Sequence, residues 1–214
     1  MYWWRTQPGA PRVNEFLQNI LAGITGATPA EQVATVLGLA GVWLMIRQNV
    51  WTFPVGLVQV SIFGWVCFGG RLYSETALQV LFFAALAYGW VHWTRGHNRE
   101  NPLPVSWLTL RTRTWWIAGT LLLWLGWGTL MDRYAHAALA YADGFVFAVS
   151  VASQWLQARK ALDNWIGWMI ANAAGIGVFW VKGYYWFAVL YAVFGLMAVA
   201  GFRTWRQSLR GGHA

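Results

Sequence analysis

The chain has 214 residues, of which 58% are hydrophobic and 10% charged, with a net charge of +8. So little polar surface excludes a soluble globule and places the protein in a membrane. One cysteine, Cys67, and four scattered histidines exclude a disulfide framework and a clustered metal or redox centre, and arginines spaced between apolar runs exclude a nucleic-acid face.

Residues 1–29 have no basic start leading into one unbroken apolar core, so no cleavable leader is expected there. Within them Phe16, Leu17, Ile20, Leu21 and Ile24 recur at helical spacing, which predicts a helix lying in the membrane interface. Seven apolar segments follow, at 32–46, 51–68, 76–93, 114–131, 135–156, 165–181 and 184–202. Most have the roughly 17–25 residues that a helix needs to cross a hydrocarbon core of about 30 Å. The first is short; if it does not cross, six spans remain and both termini lie inside.

Basic residues flanking transmembrane segments stay on the cytoplasmic side. With seven crossings, the side of the N-terminus carries Arg5, Arg12, Arg71, Arg133 and Lys182, five in all, and the opposite side carries the other ten of the 15 Lys and Arg. The expected orientation is therefore N-terminus outside and C-terminus cytoplasmic.

The chain also matches itself at an offset of 112 residues. Glu31 falls on Asp143, Trp43 on Trp155, Leu44 on Leu156, Arg47 on Arg159, Tyr73 on Tyr185, Leu78 on Leu190, Phe82 on Phe194, Gly89 on Gly201 and Trp93 on Trp205, without a gap. Each copy holds three spans with one between them, and three plus one is even, so both copies enter the membrane in the same direction. The fold expected is an all-α integral membrane protein of seven transmembrane helices in a parallel 3+1+3 repeat, an arrangement of transporters that bind substrate between their halves. Its parts are an interfacial segment (1–29), a first three-helix repeat (30–94), a cytoplasmic loop (95–113), a linker helix (114–132), a second repeat (133–206) and a tail (207–214).

The stretch LDNWIGWMIAN, residues 162–172, puts Trp165, Trp168 and Asn172 on one helical face. Asn172 lies nine residues after Asp163 and ten before Lys182, near the bilayer midplane at about 1.5 Å per residue. An unpaired amide in hydrocarbon costs several kcal/mol, so Asn172 either bonds to a neighbouring helix or faces a polar cavity. The two indoles favour a planar ligand, although Trp165 is also well placed for the interfacial aromatic belt. Gln59, Gln79, Gln154 and Tyr191 stand at comparable depth, and Gln79 and Tyr191 match each other at the 112-residue offset. Asp143 is either a counter-charge to a cationic ligand or, like its mate Glu31, a helix N-cap.

The segment NWIGWMIANAAGIGVFWVKGYYWFAVLY resembles the PnuC family of bacterial vitamin transporters, whose WxxWxxxN motif falls here on Trp165, Trp168 and Asn172. GRLYSETALQ is similar to the family's G-x-x-Y-x-x-x-x-L-Q pattern, with Gln79 at the glutamine. The resemblance spans about residues 30–206. It implies a fold similar to the SWEET sugar transporters, homotrimers in the bacterial inner membrane, and facilitated diffusion of nicotinamide riboside, with cytoplasmic phosphorylation by a kinase trapping the substrate.

Among related substrates, nicotinamide riboside and thiamine are both flat cations that would gain about 1–2 kcal/mol over a desolvated Trp, whereas riboflavin is uncharged and gains less. Nicotinamide riboside is the better match, because its carboxamide pairs with Asn172 and Gln79. An intramembrane enzyme is not expected, since no HExxH, GxSxG or buried His–Asp set is present, and no cofactor is implied. A non-transporting membrane protein would need no polar groups matched between repeats.

Overall fold

The computed structural model describes residues 13–95, 103–135 and 139–211. Arg5, Arg12 and Arg99 and the last residues of the tail, 212–214, lie outside the described residues, as do His97, His136 and His213. Among the described residues there are eight helices: α1 (Val13–Thr25), α2 (Pro29–Ile46), α3 (Thr52–Gly69), α4 (Tyr73–Thr94), α5 (Leu110–Ala135), α6 (Ala140–Ala158), α7 (Asp163–Val181) and α8 (Tyr185–Gly211).

Local sequence sets the helix ends. Thr28 caps α2 through a capping box: its hydroxyl accepts from the Glu31 N–H at 3.3 Å while the Glu31 carboxylate accepts from the Thr28 N–H at 2.6 Å, and Pro29 fills the first turn. At their far ends α2, α3, α6 and α7 close in the same way. The residue after each cap turns left-handed, at Gln48 (φ 54°), Arg71 (φ 57°), Lys160 (φ 58°) and Gly183 (φ 75°). Paired backbone bonds follow each time, such as Gln48 N–H to Met45 O at 2.9 Å with Asn49 N–H to Leu44 O at 3.0 Å, and Lys160 N–H to Gln157 O with Ala161 N–H to Leu156 O, both at 3.0 Å. Only Gly183 adopts this conformation without a Cβ penalty. Gln48 and Lys160 are 112 positions apart, and so are Arg71 and Gly183.

The helices pack in a closed ring. Sequence neighbours α2–α3–α4 pack side by side, as do α6–α7–α8, and the two groups meet where α4 packs on α6 and α2 on α8. The middle helices α3 and α7 are thereby held on opposite sides of the centre. Helix α5 packs on the outside of α6, and α1 rests on α8 with Gly23 against Trp186. Leu17 and Leu21 of α1 are exposed, as suits a helix whose apolar face meets lipid.

Four helices, α2, α3, α4 and α8, are long and apolar enough to cross a membrane by length and composition. Helices α5, α6 and α7 have the length but fall outside that set. For α6 the reason is its neighbours: twelve of its residues are buried, including Ser150, Ser153, Gln154 and Gln157, so protein and not lipid surrounds it. Helix α5 begins at Leu110, so the loop expected over 95–113 is shorter. Its end, residues 103–109, runs extended across the α6–α7 turn, with Ser106 bridging to Ala161 and Leu162 N–H donating to Ser106 O at 2.8 Å. The Asp163 carboxylate holds this strap, accepting from Leu108 N–H at 2.9 Å and Arg113 Nε at 2.8 Å. Helix α8 runs past residue 206, the expected end of the repeat, to Gly211.

Candidate functional site

The centre of the ring collects amides and aromatic rings from opposite helices. Trp168 of α7 reaches inward and meets Phe82 of α4 edge to face, centroids 5.9 Å apart at 80°. Its indole N–H donates to Gln157 Oε1 of α6 at 2.6 Å, which fixes the ring's orientation. One turn on, Asn172 is 6% exposed and its Nδ2 donates to its own helix, at Trp168 O, 2.7 Å away. That local bond leaves the Asn172 carbonyl oxygen without a donor among the described residues. Gln79, on the turn of α4 before Phe82, is 8% exposed and makes no hydrogen bond among the described residues.

These amides are buried as residues yet their unpaired atoms are not sealed. Among the described residues the fully enclosed side-chain atoms lacking a partner are Asn164 Oδ1 and Trp165 Nε1, and the amide atoms of Gln79, Gln157 and Asn172 are not among them. The unpaired amide atoms of Gln79 and Asn172 therefore keep some exposure. Buried polar groups are normally satisfied, and leaving one unmet costs about 1–3 kcal/mol. Unmet amide atoms on Gln79 and Asn172 therefore suit a polar ligand.

Helix α8 closes another side. Tyr191 packs so tightly on α7 that a Cβ at Gly175 would come within 2.2 Å of its ring, and Phe179 lies 5.1 Å away. Gly195, one turn on, brings α8 up to Asn172, where a Cβ would sit 3.6 Å from that of the asparagine. On α3, Gln59 lies by Gly38 of α2 together with Phe194. The structure thus puts Trp168 and Asn172 on one face of α7, with Trp168 against Phe82, one turn from Gln79 on α4; Gln79 itself packs on Gly64 of α3, and Tyr191 and Gln59 lie on other helices.

Two expected residues lie elsewhere. Trp165 is 2% exposed and packs edge to face on Trp205 at 5.4 Å, in the core and not in the interfacial belt. A Cβ at Gly201 would meet its ring at 2.5 Å, so the glycine makes room for it. Asp143 does not cap α6, whose N-cap is Leu139 without a side-chain bond. Its carboxylate instead takes both oxygens to Lys182 Nζ, at 2.7 and 2.8 Å, tying the start of α6 to the end of α7. The capping role belongs to its mate Glu31. Gln157 was not singled out by the sequence; its signal was the i, i+3 spacing from Gln154, which puts two buried amides on one face of α6.

A cleft of about 680 Å³ opens on the flank of the molecule between α5, α6 and α7, lined by residues such as Trp116, Thr120, Phe145, Ser153 and Ile170. None of the seven expected site residues lines it, and its walls are apolar. Near its charged end, Lys160 is 3% exposed, with Nζ donating to Leu103 O at 2.5 Å and lying 4.5 Å from the Trp93 ring centre. Burial pushes the Lys160 amine down from 10.5 to about 8.

An all-helical bundle with four helices long and apolar enough to cross a membrane defines a multi-pass membrane protein. The comparisons with known proteins are specific. The nicotinamide mononucleotide transporter family matches residues 28–207, and the chain belongs to it. It is a membrane transporter and not an enzyme. The chain is 28% identical over 225 residues to the nicotinamide riboside transporter PnuC of Escherichia coli (strain K12), covering 91% of this chain and 94% of that one. It is 26% identical over 183 residues to the riboflavin/roseoflavin transporter RibM of Streptomyces davaonensis, covering 82% and 84% respectively. A crystal structure of the vitamin B3 transporter PnuC has the same fold, with a TM-score of 0.70 at 20% identity over 95% of this chain and 94% of that one.

Proposed function

We propose that the protein carries nicotinamide riboside across the bacterial inner membrane by facilitated diffusion, a cytoplasmic kinase trapping the substrate by phosphorylation. The observation that carries this reading is the group of buried amides, Gln79, Gln157 and Asn172, on the helices around Trp168, which we read as a polar recess. A pyridinium ring on the Trp168 face would gain about 2 kcal/mol once desolvated. Its carboxamide would pair with the Asn172 oxygen and the Gln79 amide, which have no partners within the described residues. Tyr191 and Gln59 stand where they could meet the ribose.

The same reading gives seven transmembrane helices in a parallel 3+1+3 arrangement like that of the SWEET transporters: a first repeat over 30–94, a linker helix over 114–132 and a second repeat over 133–206. Matched left-handed turns at Gln48 and Lys160 and at Arg71 and Gly183 support it. The distribution of arginines favours an outside N-terminus and a cytoplasmic C-terminus, and we assign a homotrimer as the working assembly. A flavin substrate is the second reading, favoured by the similarity to RibM. Titration of the purified protein with nicotinamide riboside, thiamine and riboflavin, followed by tryptophan fluorescence, decides between them. Tightest binding of the riboside is expected, and tighter binding of either competitor would replace it.

A further inference from the structure

One end of the helical ring is shut by four aromatic rings. Phe53 at the start of α3 meets Trp93 near the end of α4 edge to face, 5.1 Å apart at 82°. Trp165 at the start of α7 meets Trp205 of α8 in the same manner, 5.4 Å apart at 90°. Each position in the first pair lies 112 residues before its counterpart in the second. Trp93 and Trp205 then close on each other, centroids 5.9 Å apart. Each also reaches across to the other three-helix group: Trp93 Nε1 donates to Ala158 O of α6 at 3.0 Å, and Trp205 Nε1 to Met45 O of α2 at 3.1 Å.

This plug lies one helical turn from the recess, since Trp165 precedes Trp168 by three residues. It also contains the two sealed polar atoms without partners, Trp165 Nε1 and Asn164 Oδ1, in residues that are 2% and 0% exposed. A well-packed static core has no reason to keep an indole N–H and an amide oxygen unmet, because apolar side chains of similar shape would avoid that penalty. Groups satisfied in a second conformation resolve the contradiction.

We propose that Phe53, Trp93, Trp165 and Trp205 form the gate at the arginine-rich end of the transporter, with Trp93 and Trp205 as its two crossed latches. On opening, the bonds to Ala158 and Met45 break, the two groups part, and Trp165 Nε1 and Asn164 Oδ1 meet water or the departing substrate. The proposal rests on the transport reading above. It explains why each latch joins opposite groups: a bond within one group would move with it and hold nothing shut.

The test uses the single cysteine. Cys67→Ala leaves the chain without a thiol, and Asn164→Cys then places one behind the plug. In proteoliposomes exposed to a small water-soluble maleimide, this thiol should react slowly at rest and about tenfold faster during nicotinamide riboside exchange, as the open state becomes populated. Adding Trp93→Phe with Trp205→Phe keeps the rings but removes both latching N–H groups. It should raise the resting rate by about tenfold while riboside affinity stays within about threefold of the parent. A thiol that stays inert while exchange proceeds overturns the gate, whether or not the phenylalanine variants fold. Unchanged resting labelling in a folded double variant overturns the latches. A parent protein that does not exchange the riboside at all overturns instead the transport reading beneath the proposal.

Discussion

Trp93 and Trp205 stand at matching positions of two three-helix groups, and each donates its indole N–H to a carbonyl at the end of the opposite group's first helix, at 3.0 and 3.1 Å. The exchange is reciprocal, so the two bonds resist the same separation from opposite sides. At Ala158 the indole meets a helix-end carbonyl with no other donor among the described residues, whereas Met45 O also accepts from Gln48 N–H at 2.9 Å.

Trp93→Phe and Trp205→Phe should each lower stability by about 1–2 kcal/mol, the value of a buried hydrogen bond plus a small packing loss. For a chain of this size that is a drop of roughly 2–8 °C in melting temperature. Because both bonds span one interface, the double variant should depart from additivity by at least about 0.5 kcal/mol. Thermal melts of the four proteins in one detergent check this; strict additivity would mean that the two bonds act independently.

Within the recess, Trp168→Ala and Asn172→Ala should each weaken riboside binding more than about tenfold while leaving the protein folded, since a lost ring face or amide bond is worth at least about 1.4 kcal/mol. Gln157→Leu should weaken binding as well, by freeing the Trp168 ring that it holds at 2.6 Å. Calorimetric titration of the three variants measures this. Parent-like affinity in both Trp168→Ala and Asn172→Ala would remove the site.

How far the sequence revealed this architecture depended on what kind of signal each part left. Helices were legible as apolar runs, because an all-apolar segment is costly anywhere but in lipid or a core. Their ends were less so: α2 starts at Pro29 through a capping box, and α6 at Ala140 without one. Trp168 and Asn172 could be read as a pair because helical spacing alone puts them on one face. Spacing could not separate Trp165 from that pair, although tertiary packing turns it into the core against Gly201 and Trp205. Asp143 stayed open between counter-charge and cap because its partner Lys182 lies 39 residues away, beyond any local pattern. Gln157 escaped notice because its role depends on Trp168, on another helix.

Lys160 makes the protein's stability depend on pH. Its amine is pushed down to about 8 by burial, from 10.5. The carbonyl of Leu103 and the Trp93 face favour the charged form, but burial outweighs them. Between those two values the unfolded chain binds the proton and the folded one does not, so stability rises with pH through this window and levels off above it. The rise from this residue is at most about 3 kcal/mol. Chemical denaturation of the parent and of Lys160→Met between pH 7 and pH 10.5 isolates it. The difference in stability should favour the variant most at the lower end and shrink as pH rises. A constant difference would mean that the Lys160 amine titrates normally.

Energy coupling is the last test, and it turns on Asp143. A proton-driven carrier generally needs an ionisable group that alternates between pathway and solvent. Among the described acids Glu31 sits in the α2 capping box, Asp132 is exposed near the end of α5, and Glu75 and Asp163 stand at helix ends, with Asp163 committed to Arg113 and to the strap. Asp143 is the remaining candidate near a pathway, and its carboxylate is engaged by Lys182 at 2.7 and 2.8 Å. A carboxylate tied through both oxygens to a neighbouring helix is not free to alternate between pathway and solvent. Proteoliposomes with equal riboside on both faces should therefore exchange substrate without accumulating it under a pH gradient, provided the potential is clamped at zero. The clamp matters because a cationic substrate is itself drawn toward the negative side by about 2.3 kcal/mol per 100 mV. Asp143→Asn should lower thermal stability, because Lys182 loses its partner, yet leave exchange passive. Accumulation driven by the pH gradient alone in the parent, and lost in Asp143→Asn, would make this ion pair a proton site and the transporter a symporter.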